Sequence, residues 1–376
     1  MNFIRKFNEW AIDLSILTEK KQQTSKKIEY VRDYIIRWSA ISAVRKDVNT
    51  ITFIDCMSNA GVYRDGDCCT AIEILQVFND IAGKYPNKVF RVLCNDISKG
   101  KIEILEKVTT EVLTKTKNVQ FFTSCCDVND YLSSLAENPY VGNRCIFGYG
   151  NSTVLYVDPF DFGTVEIPKL TAVLEKYYCE LIFNFFISDY VRNISRDQGR
   201  IQRCLGGHII SSKDELFSYM QTMLCVGHIK YIFSYEFRIT NNVELYQIVF
   251  ATPSKRGLEV LKESLWTVFD GAEYHRNKAD DGQMSFFSSE NIKKYNLDNC
   301  SKEAKMMLKY YLSGKELSYD EIEEFLIQHT MLQASQIISN VLKPMIAAGQ
   351  LKKVGLVNNR NYKQDRYLVI NKEAWT

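Results

Sequence analysis

Residues 229–252 read IKYIFSYEFRITNNVELYQIVFAT. Two β-rich runs, Ile229–Ile239 and Leu245–Thr252, flank Asn241-Asn242. Asparagine tolerates the left-handed backbone of tight hairpin turns, so the stretch predicts an antiparallel β-hairpin. A hairpin alone says little about fold. Its weight comes from the apolar runs upstream: Ile51–Cys56, Val89–Cys94, Val119–Thr123, Thr153–Val157 and Leu181–Phe186. Helical patterns separate them, over Thr70–Lys84, Lys99–Leu113, Val128–Glu137 and Pro168–Tyr178. Short apolar strands alternating with helices are the pattern of a parallel sheet buried on both faces.

A parallel sheet finished by an antiparallel hairpin is the layout of class I methyltransferases; dehydrogenase-type Rossmann domains lack the hairpin. The expectation is therefore an α/β chain with a Rossmann-like class I methyltransferase sheet over residues 25–270. Its leading helix, over Ser25–Ala43, carries Ile28, Val31, Ile35 and Trp38 on one face. Residues 1–24 read as an amphipathic segment, with Phe3, Phe7, Trp10, Leu14 and Leu17 at helical spacing. The polar stretch 271–300 reads as a linker. Residues 301–376 then change character, with helices over Ser301–Leu312, Tyr319–Gln328 and Ala334–Ala348, and Gly349 placed to cap the last of them. Two short strands follow, Leu351–Val357 and Arg366–Ile370. Three helices and a hairpin make a winged-helix-like domain.

The composition narrows the function classes. With 46% hydrophobic and 24% charged residues the chain is of ordinary globular make-up. A formal net charge of +2 excludes a global basic field, so any nucleic-acid contact must be local. Arg5, Lys6 and Glu9 interrupt the first residues, leaving no apolar export signal, and no uncharged run reaches membrane-spanning length. The eleven cysteines are then expected as reduced thiols in a cytoplasmic protein. No two of them are spaced C-x-x-C and the four histidines are scattered, so no metal site is expected.

Several expected strands end in an acidic residue, and ligands of open parallel sheets bind at those carboxyl ends. Asp55, Asn59 and Gly61 fall in the loop Phe53–Gly61, where a cofactor turn belongs; Asn59 can supply one left-handed position. Asp96 is placed to bond both hydroxyls of a ribose, and Asp127 to accept from an adenine amine; each also suits a turn or a helix cap. Asp158-Pro159-Phe160 follows the fourth strand. A carboxylate there accepts from a substrate amine and aims its lone pair, which is catalysis by orientation, while the ring stacks on an unpaired base. In the tail, Lys353, Arg360, Lys363 and Arg366 form a basic strip suited to a phosphate backbone, although winged helices also dock proteins.

Residues from about 24 to 270 resemble the three-Cys-motif partner family. The likeness rests on Lys27 and Tyr34, the Phe53–Gly61 loop, Asp158-Pro159-Phe160, Asn184-Phe185, Gly257-Leu258-Glu259 and Trp266. Asn59 and Ala60 stand where the family usually has Gly and Pro. The resemblance implies a bacterial or phage protein of methyltransferase-like fold, S-adenosylmethionine as cofactor, and a partner protein with a three-cysteine radical-enzyme motif. Two functions fit these readings: an N-methyltransferase acting on an amine in nucleic acid, or a non-catalytic methyltransferase-like scaffold that binds nucleic acid or regulates a radical-type enzyme.

Overall fold

A computed structural model describes every residue except 114–116, 194–195, 239–243, 273, 276–288, 355–360 and 371–376. The chain separates into two compact units: Met1–Gly257 with Tyr274–Asn277, and Leu258–Glu273 with Lys278–Thr376.

In the first unit α1 (Gln22–Val44) leads into β1 (Thr50–Asp55), α2 (Thr70–Ala82), β2 (Val89–Asn95), α3 (Lys99–Val112), β3 (Val119–Ser124) and α4 (Val128–Glu137). A small hairpin, β4 (Tyr140–Val141) and β5 (Arg144–Cys145), precedes β6 (Asn151–Val157), α5 (Ile167–Lys176) and β7 (Glu180–Phe185). Three short helices, α6 (Ile187–Asn193), α7 (Gln198–Cys204) and α8 (Lys213–Leu224), lead to β8 (Tyr231–Arg238) and β9 (Glu244–Thr252). A two-residue strand, β10 (Tyr274–His275), completes the sheet.

The strand order is β10-β8-β9-β7-β6-β1-β2-β3, and β9 alone runs against the others. This is the class I methyltransferase sheet. The expected hairpin is present, and its second strand slots between β7 and β8 instead of extending the edge; the Asn241-Asn242 turn lies outside the described residues. Strand β7 is buried along its whole length and β1 from its second residue on, which explains why apolar residues predominate in both. The chain leaves β1 toward β2 and β3, then returns to the other side of β1 at β6. That reversal opens the crevice where such sheets hold ligands.

The amphipathic segment expected over 1–24 is not a helix. Before α1 begins at Gln22, only Ile4–Lys6 forms a helical turn, of the 3-10 type. Local side chains compete for the backbone: the Asn2 amide oxygen accepts from Ile4 N–H at 3.1 Å, and Asp13 accepts from Ser15 N–H at 2.9 Å. Ala11 takes a left-handed φ of 49°. Phe3, Phe7 and Leu17 are nonetheless buried, so the segment lies as a strap on its own unit.

The second unit includes most of α9 (Lys255–Phe269), followed by α10 (Ser289–Tyr311), β11 (Glu316–Ser318), α11 (Tyr319–His329), α12 (Ala334–Ile337), a π-helical turn (Ile338–Leu342), α13 (Lys343–Ala347), β12 (Leu351–Val354) and β13 (Arg366–Val369). Helix α10 begins at Ser289, twelve residues before the expected Ser301, inside the stretch read as linker. No Gly or Pro interrupts Ser289–Tyr311, and its polar composition hid the helical period. Helices α12 and α13 are the single expected helix with a π-turn in its middle. Pro344 lacks an N–H for the regular ladder, and Lys343 N–H reaches back five residues to the Ile338 carbonyl. Gly349 ends the run as expected: its φ is 70°, its N–H bonds to the Ile346 carbonyl, and Gln350 N–H bonds to that of Met345. The sheet order is β11-β13-β12.

The Lys262 side chain is fully buried in this unit. Its ammonium donates to the carbonyls of Ile327, Thr330 (2.6 Å) and Leu332 (3.2 Å), where α11 ends. Burial pulls its pKa well below the usual lysine range. Among the described residues no helix is long and apolar enough to cross a membrane.

Candidate functional site

A cavity of about 500 Å³ opens at the carboxyl ends of β1, β6 and β7. Asp55, Asn59, Tyr156, Asp158, Phe160 and Asn184 line it together with Lys27 of α1. The register sets this meeting: Asp55 faces Cys94 across one strand boundary and Tyr156 across the other, so Asp158 projects just beyond Asp55's neighbour.

Asp55 is 2% exposed, and among the described residues its one hydrogen bond comes from Met57 N–H at 3.2 Å. Burial pushes its pKa up to about 8, with the fields of Asp158 and Asp96 adding to the rise and Met57 N–H and Lys27 opposing it. The loop after it turns at two left-handed positions. Asn59 has a φ of 58°, as its sequence position suggested, and Gly61 one of 77°. A Cβ on Gly61 would come within 2.6 Å of Leu105.

Asp96 is spoken for by this loop. It accepts from Asn59 N–H at 3.1 Å and Ser98 N–H at 2.9 Å, with Lys101 at 3.9 Å. It does not line the cavity. Neither does Asp127, which caps α4 by accepting from Asn129 N–H at 2.8 Å. Phe160 is 57% exposed, with Lys101 over its ring at 5.0 Å.

The site's wiring centres on Asp158. Lys27 Nζ donates to both carboxylate oxygens, at 2.7 and 2.6 Å, and Tyr156 Oη donates to Oδ2 at 3.2 Å. Asn184 fixes the direction of that last bond. Its Oδ1 accepts from Tyr30 Oη and its Nδ2 donates to Tyr156 Oη, both at 3.1 Å, so the Tyr156 proton is left for Asp158. A second buried carboxylate lies under the sheet's other half: Glu180 accepts from Tyr34 and, at 2.8 Å, from Thr252. Burial lifts Glu180 to about 7 against those two bonds. A side chain on Gly257 would collide with this carboxylate at 2.3 Å. Lys27, Tyr34, Asn184 and Gly257, four of the positions that carry the family resemblance, thus surround Asp158 and Glu180. Composition and spacing did not join Lys27 to Asp158, which lies 131 residues away.

The strap covers one side of the cavity with Leu17, Thr18, Glu19 and Lys21. Asn59 Nδ2 donates to Thr18 Oγ1 at 2.7 Å, Arg64 N–H to the Thr18 carbonyl at 2.9 Å, and Arg64 pairs with Glu19 at 3.0 Å.

In the second unit the expected basic strip is mostly engaged. Lys353 is paired with Asp365 at 2.5 Å and Arg366 with Glu316 at 2.6 Å. Lys363 sits over the Tyr319 ring at 5.7 Å, and Arg360 lies outside the described residues. Among the described residues no group of His, Cys, Asp and Glu could hold a metal ion, and all eleven cysteines are free thiols.

No family model and no curated protein sequence matches this chain. Solved structures similar to it include magnesium protoporphyrin IX methyltransferase from Synechocystis with bound SAH, 11% identical over 60% of this chain and 83% of that one, TM-score 0.29. A SAM-dependent methyltransferase from Aquifex aeolicus is 10% identical over 62% of this chain and 99% of that one, TM-score 0.28. A 16S rRNA (adenine(1408)-N(1))-methyltransferase from Catenulisporales acidiphilia is 9% identical over 59% and 93%, TM-score 0.29. The strand order carries the fold assignment; these likenesses carry nothing on substrate or partner.

Proposed function

We propose that this chain is an S-adenosylmethionine-dependent methyltransferase acting on an amino group in nucleic acid, in company with a partner protein. One observation carries the reading: a single cavity joins a buried carboxyl group with one hydrogen bond, Asp55, to the Asp158-Pro159-Phe160 corner. The cavity's own residues fit the amino-acid end of the cofactor. Asp55 would hold its ammonium, and the Asn59–Gly61 turn would let backbone approach it. Asp96 could share its occupied oxygens with ribose hydroxyls, and Asp127 is the expected adenine contact. When bound, S-adenosylmethionine supplies a methyl group on a positively charged sulfur. The chain's own residues then orient the acceptor: Asp158 accepts from the amine N–H, and exposed Phe160 offers a stacking face.

The family resemblance and its three-cysteine radical-enzyme partner belong to the same proposal, supported by the clustering of Lys27, Tyr34, Asn184 and Gly257. So does the winged-helix-like reading of the tail. The order α10-β11-α11-α12/α13-β12-β13 supports it, and among the described members of the expected basic strip Lys363 is the one for which no carboxylate partner is shown. The scaffold reading has its own support, since Asp158 already holds Lys27 and Asp96 already holds loop amides. Calorimetry with S-adenosylmethionine and S-adenosylhomocysteine decides between the two. Micromolar binding supports the enzyme, and no heat at millimolar ligand leaves the scaffold.

A further inference from the structure

The acceptor end of the cavity contains an ion pair that orientation chemistry alone does not call for. A carboxylate offers about four lone-pair positions. Lys27 takes one on each oxygen of Asp158, and Tyr156 takes a second on Oδ2. Oδ1 keeps one, on a side chain that is 23% exposed at the cavity wall, while Lys27, on the same wall, is 14% exposed. A neutral N–H donor can use that position. An ammonium group would arrive within a few ångströms of the Lys27 charge, in a half-buried site where water screens poorly.

We propose that Lys27 is a specificity-determining residue, a charge filter: by neutralising Asp158 it makes the acceptor end take an uncharged amine and turn away an ammonium ion. The inference rests on the cofactor reading above and goes beyond it by assigning Lys27 a task. The filter suits the chemistry, because an amine reacts through its lone pair and its protonated form has none. It favours the exocyclic amine of a nucleobase, uncharged at neutral pH, over a lysine side chain or a free α-amine. Tyr156, oriented by Asn184 and Tyr30, is the positioning residue that keeps the carboxylate plane fixed.

The test needs no acceptor. Sinefungin resembles S-adenosylmethionine but carries an amine, protonated at neutral pH, where the sulfur bears its methyl. Its affinity relative to S-adenosylhomocysteine, measured by calorimetry on the full chain, reads how the acceptor end treats a cation. Lys27→Met, and Lys27→Gln as a second uncharged variant should the first fold poorly, are expected to raise the sinefungin preference tenfold or more. Lys27→Arg should leave it within about threefold of wild type. Adding Asp158→Asn to Lys27→Met should remove the gain. A preference unmoved by both uncharged variants, with S-adenosylhomocysteine still bound, overturns the filter alone. A gain that persists in the double variant overturns it too, since the attraction would not be to Asp158. Failure of wild type to bind S-adenosylhomocysteine overturns the cofactor reading and the filter with it.

Discussion

Lys27 and Lys262 are both largely withdrawn from water, and their surroundings differ in kind. Lys27 faces a carboxylate at the wall of a cavity. Lys262 faces three neutral carbonyls inside a sealed core, where α11 ends and its orphan carbonyls carry partial negative charge. The first contact can be shared with an incoming group, because Asp158 is open on one side. The second is wholly buried, so these bonds hold the C-terminal helices together. A buried lysine's task is therefore read from what it neutralises and from whether anything else can reach that partner.

The largest expected effect tests the sealed member. Lys262→Met strips the donor from three buried carbonyls and should destabilise the second unit by about 3–5 kcal/mol. Thermal unfolding followed by circular dichroism checks it; an unchanged melting temperature would show that water serves these carbonyls equally well. The open member behaves oppositely. Asp158→Ala should lower methyl transfer, assayed with tritiated donor on total cellular nucleic acid and protein, by roughly 10²-fold or more. S-adenosylhomocysteine affinity should stay within about twofold. Equal label from wild type and variant would remove Asp158 from the chemistry.

Asp55 sharpens the contrast through pH. Its folded pKa of about 8 lies above that of an unfolded aspartate, so the folded state binds the extra proton between about pH 4 and 8. Stability is then highest below that window and falls as pH rises through it, and Asp55→Asn should flatten the fall. A ligand ammonium prefers the ionised form, so binding below pH 8 should release a proton and tighten up to about tenfold per pH unit. Calorimetry of S-adenosylhomocysteine in two buffers of different ionisation heat measures the proton directly; no release at pH 6.5 would place the ammonium elsewhere. The smallest effect belongs to Asp127. Asp127→Ala should cost about 1 kcal/mol of stability as a lost helix cap while leaving cofactor affinity intact. A tenfold loss of affinity would restore the adenine contact expected from its sequence position.

What the sequence discloses follows from range. Strands β1, β2 and β6 are legible because an apolar run ending in Asp or Asn is a local property, and Asn59 is legible because few residues tolerate a positive φ. The Lys27–Asp158 pair is not, because it is made by the chain folding back across 131 positions; the resemblance named both residues without joining them. The strap reads as helical because Phe3, Phe7 and Trp10 have helical spacing, whereas Asn2 and Asp13 hold the backbone in turns. Lys262 did leave a signal. Leu258, Leu265 and Phe269 mark the apolar stripe of α9, and position 262 falls on it, so a lysine there foretells a buried partner.

The slot that β9 occupies has a consequence for how the nascent chain matures. When Phe185 leaves the ribosome, β7 has β6 on one side and nothing on the other. Strand β8 emerges next but cannot take the vacant side, which is reserved for a strand not yet made. Until Thr252 is out, the sheet carries an open, largely apolar edge, for several seconds at usual synthesis rates of roughly 5–20 residues per second. A message truncated within that interval would release a polypeptide with an adhesive flank, one that chaperones must cover or proteases remove.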